Sequence, residues 1–592
     1  MILLSHYQVV RFMQKKGNTL SYLILGIVFF LISACNLPSR QFSESSAVST
    51  RYAEWQQTLT PIHSGTDAQI LDHTPVPHWE NGQMPLEENN EDALKIYLHP
   101  ALPKNLIAAL NLPKSFEETN EKDADVSFLI GEMNREEHRI LSSTWVYALV
   151  GPFYTINDGI SSDALASLWH GKRTDEVPFS RILLPTESYA VLEVLFGPPD
   201  NTVVETATIR ELTDLALSEK PFLSILPFTD LEPNWKVLRV DDQSPIDDHF
   251  SPESYALSVE VWAEGNIPNF ALPNNYDPDK RTVLIMTGVT ALTRATAHRM
   301  EIHGNPYPGR DIQTWFSAAD LVHISNEVPF AENCPYPNPL QPDLIFCSSP
   351  DRVELLEHIG ANIIELSGNH LLDYGIPAMN LTLEMYAARG WETYAGGWDL
   401  NDSRSPALIT HNSNRLAFIG CNPAGPPFSW ATPSSPGTAP CGDYQWMLDE
   451  IRTLRAEGYL PIVTLQYIED YTPYPSAQMV VDFQRLAEAG AVMVSGSQAH
   501  TPKTMVFYEG SFLHYGLGNL FFDQMAVYYS GILMQGTREA FIDRLIFYDG
   551  ELISIELFTT MLEDYARPRP MTSTERIMLL SRIFSIGLNA YD

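Results

Sequence analysis

An α/β protein of more than one unit is what the sequence predicts, on three observations. From Leu94 onward, short apolar runs rich in β-branched residues alternate with helical patterns. In the C-terminal half those runs end in polar clusters: Ser325-Asn326-Glu327, Gly368-Asn369-His370, Gln466 with Glu469, residues 496–500, and Gly518-Asn519. Finally, 592 residues exceed one core, and roughly 150 residues per domain divides the chain into two to four. Polar groups at strand ends can meet at one sheet edge although far apart in sequence, so these clusters are the candidate site.

Lys and Arg total 37 against 73 Asp and Glu, a net charge of −36. A surface of that sign repels phosphate backbones, which excludes nucleic acid as a partner. At the N-terminus, Arg11, Lys15 and Lys16 precede an apolar run over residues 20–32 and then Ser33-Ala34-Cys35. The run is shorter than the roughly 20 residues of a spanning helix, and small residues before a cleavage point mark a secretory signal. Met13 is an alternative start, because residues 1–12 add little to that pattern. Leu31-Ile32-Ser33-Ala34-Cys35 resembles a bacterial lipoprotein signal, which implies lipidation of Cys35, an anchor in the membrane and a chain outside the cytoplasm. A plain membrane-anchoring helix is the alternative, with the same location. With Cys35 lipidated, Cys334, Cys347, Cys421 and Cys441 remain. An even count in an exported chain reads as disulfides, and the close pairs 334/347 and 421/441 suggest local staples, although three connectivities are open. A four-cysteine zinc site is the rival, and no C-x-x-C spacing supports it.

The elements follow in order. Residues 36–90 are rich in Ser, Thr, Pro, Asn and Glu without sustained apolar periodicity and read as a solvated tether. Residues 91–270 read as a first α/β unit: strands at 94–98, 126–130 and 145–150, a helix at 103–110, and a Ser-capped helix over 164–169 stopped at Gly171. That capped helix ending in Gly171-Lys172, with Leu226-Pro227-Phe228 later, resembles the type 2 periplasmic solute-binding fold. No Gly/Ser/Thr-rich loop for phosphate or sulfate is present, so the ligand stays open and a ligand-free module is an alternative. Residues 277–565 form a second α/β unit, with strands read at 283–286, 321–324, 363–366, 416–420, 461–465, 492–495, 512–515 and 545–548 and helices between them. Residues 552–557 read as a strand with Ser554 and Glu556 on one polar face. Within a C-terminal tail over 566–592, residues 573–588 read as a helix with Thr572 and Glu575 at its start.

The ordered series Thr287-Gly288, Asn326-Glu327, Gly368-Asn369-His370 with Asp373-Tyr374-Gly375, Gln466-Tyr467 with Glu469, residues 496–500, and residues 515–524 resembles the CapA family. Those proteins are associated with poly-γ-glutamate capsule synthesis and related in fold to calcineurin-like metallophosphoesterases. The resemblance implies a sandwich of two sheets flanked by helices. It also implies two-metal hydrolysis, in which a metal pair activates water and stabilises the leaving oxygen. Carried over residue by residue, Glu327, Asn369 and His500 fall at metal-ligand positions and His370 at the acid/base position, with Asp373 orienting the loop. Glu469 is a second acid/base candidate. Asn326, Gln466, Gln498 and Asn519 are substrate-binding candidates.

Three departures bear on that chemistry. The family's Gly-Asp is Gly288-Val289 here, its His-Trp is Gln466-Tyr467, and its His-Pro-His is Gln498-Ala499-His500. Valine cannot bind a metal and a Gln amide oxygen is a weak ligand, which leaves one divalent metal (Mn, Zn or Fe) or none. Two functions therefore stand: a divergent envelope hydrolase or transferase, and an inactive protein that binds an anionic or glycan envelope polymer. Other capsule-synthesis proteins are expected partners. A transport-linked receptor is a third reading and predicts a small ligand retained by residues 91–270. Arg294, Arg299 and Arg310, with His298 and His303, bring cations near the first motif, either to meet an anion or as a solvated helix face.

Overall fold

The computed structural model describes residues 93–588, apart from residue 111 and residues 113–115, 132–140, 175–177, 218–220, 266–270 and 530. The expected signal, Cys35 and the tether lie outside the described residues. Among those described, no helix is long and apolar enough to cross a membrane. The described residues belong to one compact unit.

Its first α/β part is built on seven strands in the order Phe116–Glu118, Leu94–Leu98, Val126–Ile130, Ser258–Gly265, Leu141–Pro152 and Ser224–Pro227, with Trp235–Val237 also on Leu141–Pro152. The helix Ser162–Trp169 starts where Ser161 Oγ accepts the Ala164 N–H at 3.2 Å and ends at Gly171, whose φ of +76° suits glycine.

The second part consists of two sheets face to face. The first runs Glu392–Tyr394, Ile363–Glu365, Leu321–Asn326, Arg281–Thr287, Glu539–Tyr548, Glu551–Glu563, Arg567–Pro570. The second runs Ala407–His411, Asn414–Cys421, Leu460–Leu465, Met493–Gly496, Ser511–His514, Met505–Tyr508. Period-two alternation divides each strand between two cores. Leu284 and Met286 meet Phe418, Ile462 and Phe512 between the sheets. Ile285 faces the other way, onto Met300, Phe316, Leu355 and Met379 of the helices covering the first sheet. On the far side, Val463 and Val494 pack under Met447, Ile451, Phe483 and Leu486 of the helices Gln445–Ala456 and Ala477–Glu488. This is the expected α/β sandwich of two sheets flanked by helices. Both faces of its central strands are apolar because both are covered.

Polar pairs also cross between the sheets, among them His514 Nδ1, which lies 2.6 Å from Asp543 Oδ2 with both side chains fully buried. The helix Ser573–Leu588, expected as a tail, has a reciprocal cap in which Thr572 N donates to Glu575 Oε2 at 2.8 Å and Glu575 N to Thr572 Oγ1 at 3.3 Å. Its Leu579, Leu580, Ile583 and Phe584 then join Phe153 and Tyr154 of the first part in the intersheet core. Ser554 is fully buried, and Glu556, partly exposed, is ion-paired to Arg544, so the polar side read on residues 552–557 is largely covered by protein.

Cys334 is bonded to Cys347 and Cys421 to Cys441, across sequence separations of 13 and 20. Loops of that size are worth about 3 kcal/mol each through the unfolded state. Replacing Cys421 and Cys441 together by Ser is therefore expected to lower the unfolding free energy by about that amount in denaturant titrations. An unchanged midpoint would remove this role.

Candidate functional site

The sheet edge is organised by a short strand, Val289–Thr290, lying parallel between Leu321–Asn326 and Asn519–Phe521. Ile363–Glu365 runs parallel on the far side of Leu321–Asn326, so the segments that follow these strands open on one edge. Glycine sets the closest approach: a Cβ on Gly368 would stand 2.5 Å from Glu327 Cα, so only glycine lets Asn369 sit beside Glu327. From the second sheet comes Gln466, just beyond Leu460–Leu465. Its Nε2 donates to Glu327 Oε1 at 2.8 Å and to Asn369 Oδ1 at 3.1 Å. Its Oε1 is buried without a partner.

Asn519 Nδ2 donates to His500 O at 3.2 Å and to Thr537 O at 2.9 Å. Its Oδ1 is thereby turned to His500 Nδ1, 2.8 Å away, which must carry the proton and leaves Nε2 with the lone pair. Asn519 thus positions His500 and does not reach outward as a substrate contact. His370 is held similarly, with Nδ1 2.7 Å from Asp373 Oδ2, and that carboxylate also accepts the Phe346 N–H at 2.8 Å. Asp373 therefore joins the His370 ring to the Phe346 main chain.

Two expected residues turn elsewhere. Glu469 spends its carboxylate on backbone N–H groups, Asp470 at 2.7 Å together with Tyr471 and His500, and so ties two loops together. A carboxylate so occupied does not fit the acid/base role read from sequence. Asn326 is buried and donates to Val328 O and Tyr386 Oη, each at 2.9 Å, which makes it a core bracket instead of a substrate contact. Gln498 is half-buried with Oε1 unpartnered.

Between the two histidines lies a continuous stack. His370 packs on Phe346 with centroids 4.6 Å apart, the Arg294 guanidinium lies 4.9 Å from both Phe346 and Phe522, and Phe522 faces His500 at 5.0 Å. Phe346 and Phe522 belong to one buried apolar cluster with Val289, Ala291 and Val328. The apolar group is thus where the family's aspartate would be.

The donor set does not fit the implied metal pair. Glu327 Oε1 and Asn369 Oδ1 both accept from the Gln466 NH2, a donor that cannot bind a cation, and Val289 supplies no ligand. Among the described residues no three His, Cys, Asp or Glu side chains come together as a metal-binding group.

Sequence reading missed a second buried group beneath this edge. Glu365 Oε1 accepts from Ser367 Oγ at 2.5 Å and Ser497 Oγ at 2.6 Å, and burial pushes its carboxyl above the usual carboxylate range. His323 Nε2 lies 2.8 Å from Tyr394 Oη, and burial pushes this imidazole down to about 3. Glu365 Oε2 lies 3.6 Å from His323 Nε2, and burial works against the charged form of each. The available signal was a charged or imidazole residue inside an apolar strand, as in Ile363-Ile364-Glu365-Leu366 and Leu321-Val322-His323-Ile324. Of the basic residues near the first motif, Arg299 pairs with Asp564, Arg310 with Asp311, and only Arg294 joins the site.

Residues 283–524 match the family described as bacterial capsule synthesis protein PGA_cap. The chain is similar to a probable polyglutamine synthesis accessory protein of Mycobacterium tuberculosis (strain CDC 1551 / Oshkosh), 29% identical over 227 residues, covering 35% of this chain and 57% of that protein. It is also similar to the PGA biosynthesis protein CapA of Bacillus subtilis (strain 168), 22% identical over 216 residues, covering 36% of this chain and 56% of that protein. The chain thus spans little more than half the length of these relatives. A putative 5′-nucleotidase from Staphylococcus aureus is 10% identical, with a TM-score of 0.29, over 52% of this chain and 58% of that one, a likeness too slight to bear on the site. The family match and the relatives support the CapA family for this segment.

Proposed function

We propose that this chain is an accessory protein of capsule or poly-γ-glutamate assembly, held at the cell envelope through Cys35, and that its second α/β part binds the polymer without cleaving it. The matched family and the names of the similar proteins support the capsule role. The observation that carries the binding reading is the Gln466 amide group, which joins Glu327 to Asn369 by hydrogen bonds from a donor that cannot bind a cation. Such a pocket offers fixed donors and acceptors to a ligand and does not present the ligand set of a water-activating metal pair.

A hydrolytic reading rests on one observation, the His370–Asp373 pair, because an imidazole held at Nδ1 can exchange a proton at Nε2. Elemental analysis with polymer binding separates the two. Expected are substoichiometric Mn, Zn and Fe in the purified chain and an affinity for poly-γ-glutamate that a chelator leaves unchanged. Stoichiometric metal, with hydrolysis that is lost in His370→Ala and on chelation, would overturn the binding reading.

A further inference from the structure

We propose that a cavity lined by both α/β parts binds an uncharged oligosaccharide, at a site separate from the Glu327–Gln466 edge. Its volume is about 800 Å³, within the range of small-ligand pockets. None of Glu327, Asn369, His370, Gln466 or His500 lines it.

The lining combines exposed ring surface with charged groups. On the strand Glu551–Glu563, Glu556 and Phe558 stand two residues apart and so share one face, the side that the sequence marks as polar. Phe558 stacks on Trp315 of the helix Gln313–Ser317 with centroids 4.6 Å apart, and both rings stay partly exposed. The first part adds Phe250, also half-buried. The C–H faces of a sugar ring pack on such surface and bring no charge with them.

The charges of the lining select against an anion. Four Lys and Arg side chains stand against five Asp and Glu. Each of the four cations is bonded to a carboxylate of the same lining: Lys236 to Asp158 at 2.7 Å, Arg576 to Asp158 at 2.9 Å, Arg239 to Asp247 at 2.5 Å, and Arg544 to Glu556. An anionic ligand would have to break one of these pairs and face the surplus carboxylate. A hydroxyl need not, because one oxygen both accepts and donates. Arg239 Nη2 and Glu556 Oε1 stand 3.9 Å apart, too far for a hydrogen bond, on side chains 36% and 19% exposed. A hydroxyl oxygen seated against both accepts from the guanidinium and donates to the carboxylate.

The test is calorimetric titration of the full chain with neutral N-acetylglucosamine oligomers, dextran fragments and poly-γ-glutamate. At least one neutral sugar is expected to bind, with Trp315→Ala weakening it at least about tenfold and Trp315→Phe less. Ser254→Arg sets a long side chain at the exposed rim without touching the core, so it decides the matter if Trp315→Ala melts early. Preference between the two sugars identifies the source of the hydroxyls. Poly-γ-glutamate affinity is expected to be the same in all variants, which keeps the polymer-binding reading under separate trial. Sugar binding left unchanged by both Trp315→Ala and Ser254→Arg overturns the cavity site, as does a wild-type chain that binds neither sugar. Loss of poly-γ-glutamate binding in both variants overturns it too, because the cavity would then serve the polyanion.

Discussion

Val289→Asp is expected to destabilise the protein by about 3–5 kcal/mol and to gain nothing from added Mn²⁺ or Zn²⁺. The substitution restores the acidic residue that the resembled family carries after its first strand. Here position 289 is fully buried and packed with Ala291, Val328, Phe346 and Phe522. A carboxylate in that cluster loses its hydration and finds no free cation, because Arg294 is already paired with Asp523. It would either protonate or force the cluster open. Metal cannot compensate while the Gln466 amide group occupies the space between Glu327 and Asn369. Urea titrations with and without metal measure both parts, and a metal-dependent recovery of the midpoint would show that a cation site survives here.

The same residues show what a sequence can and cannot disclose. The α/β class was legible because apolar runs alternate with helical patterns, whereas the sandwich of two sheets came from the resemblance; its strands are apolar on both faces because two layers cover them. The union of Glu327, Asn369 and Gln466 was foreshadowed by polar clusters at strand ends, since parallel strands deliver their C-terminal ends to one edge. The direction of each side chain was not. Glu469 and Asn519 have the composition of site residues, yet both are committed to loops, Glu469 through backbone N–H groups and Asn519 through two carbonyls and His500. Such choices depend on which main-chain groups lack partners, a property of the folded loops. Glu365 and His323 were passed over for the opposite reason: inside apolar strands they look like lapses in the pattern until the buried hydroxyls beside them are seen.

That buried pair gives the protein a pH dependence of predictable sign. His323 has a folded-state value of about 3 against an ordinary 6.5, so between those limits the unfolded chain holds a proton that the folded chain refuses. Stability from this group must therefore fall on acidification from pH 6.5 toward 3, at about 1.4 kcal/mol per pH unit and by about 4–5 kcal/mol in all. Glu365 is shifted the other way, raised by burial, so the folded chain takes its proton first and this group loses stability as pH rises above 4.5. The two oppose each other just above pH 4.5, and single variants separate them. His323→Gln is expected to flatten the loss of stability between pH 6.5 and 4.5, whereas Glu365→Gln is expected to steepen it. Urea midpoints measured at half-unit steps test both at once. Equal slopes in the wild type and His323→Gln would mean that the imidazole is charged in the fold, which would require Glu365 to be its ionised partner.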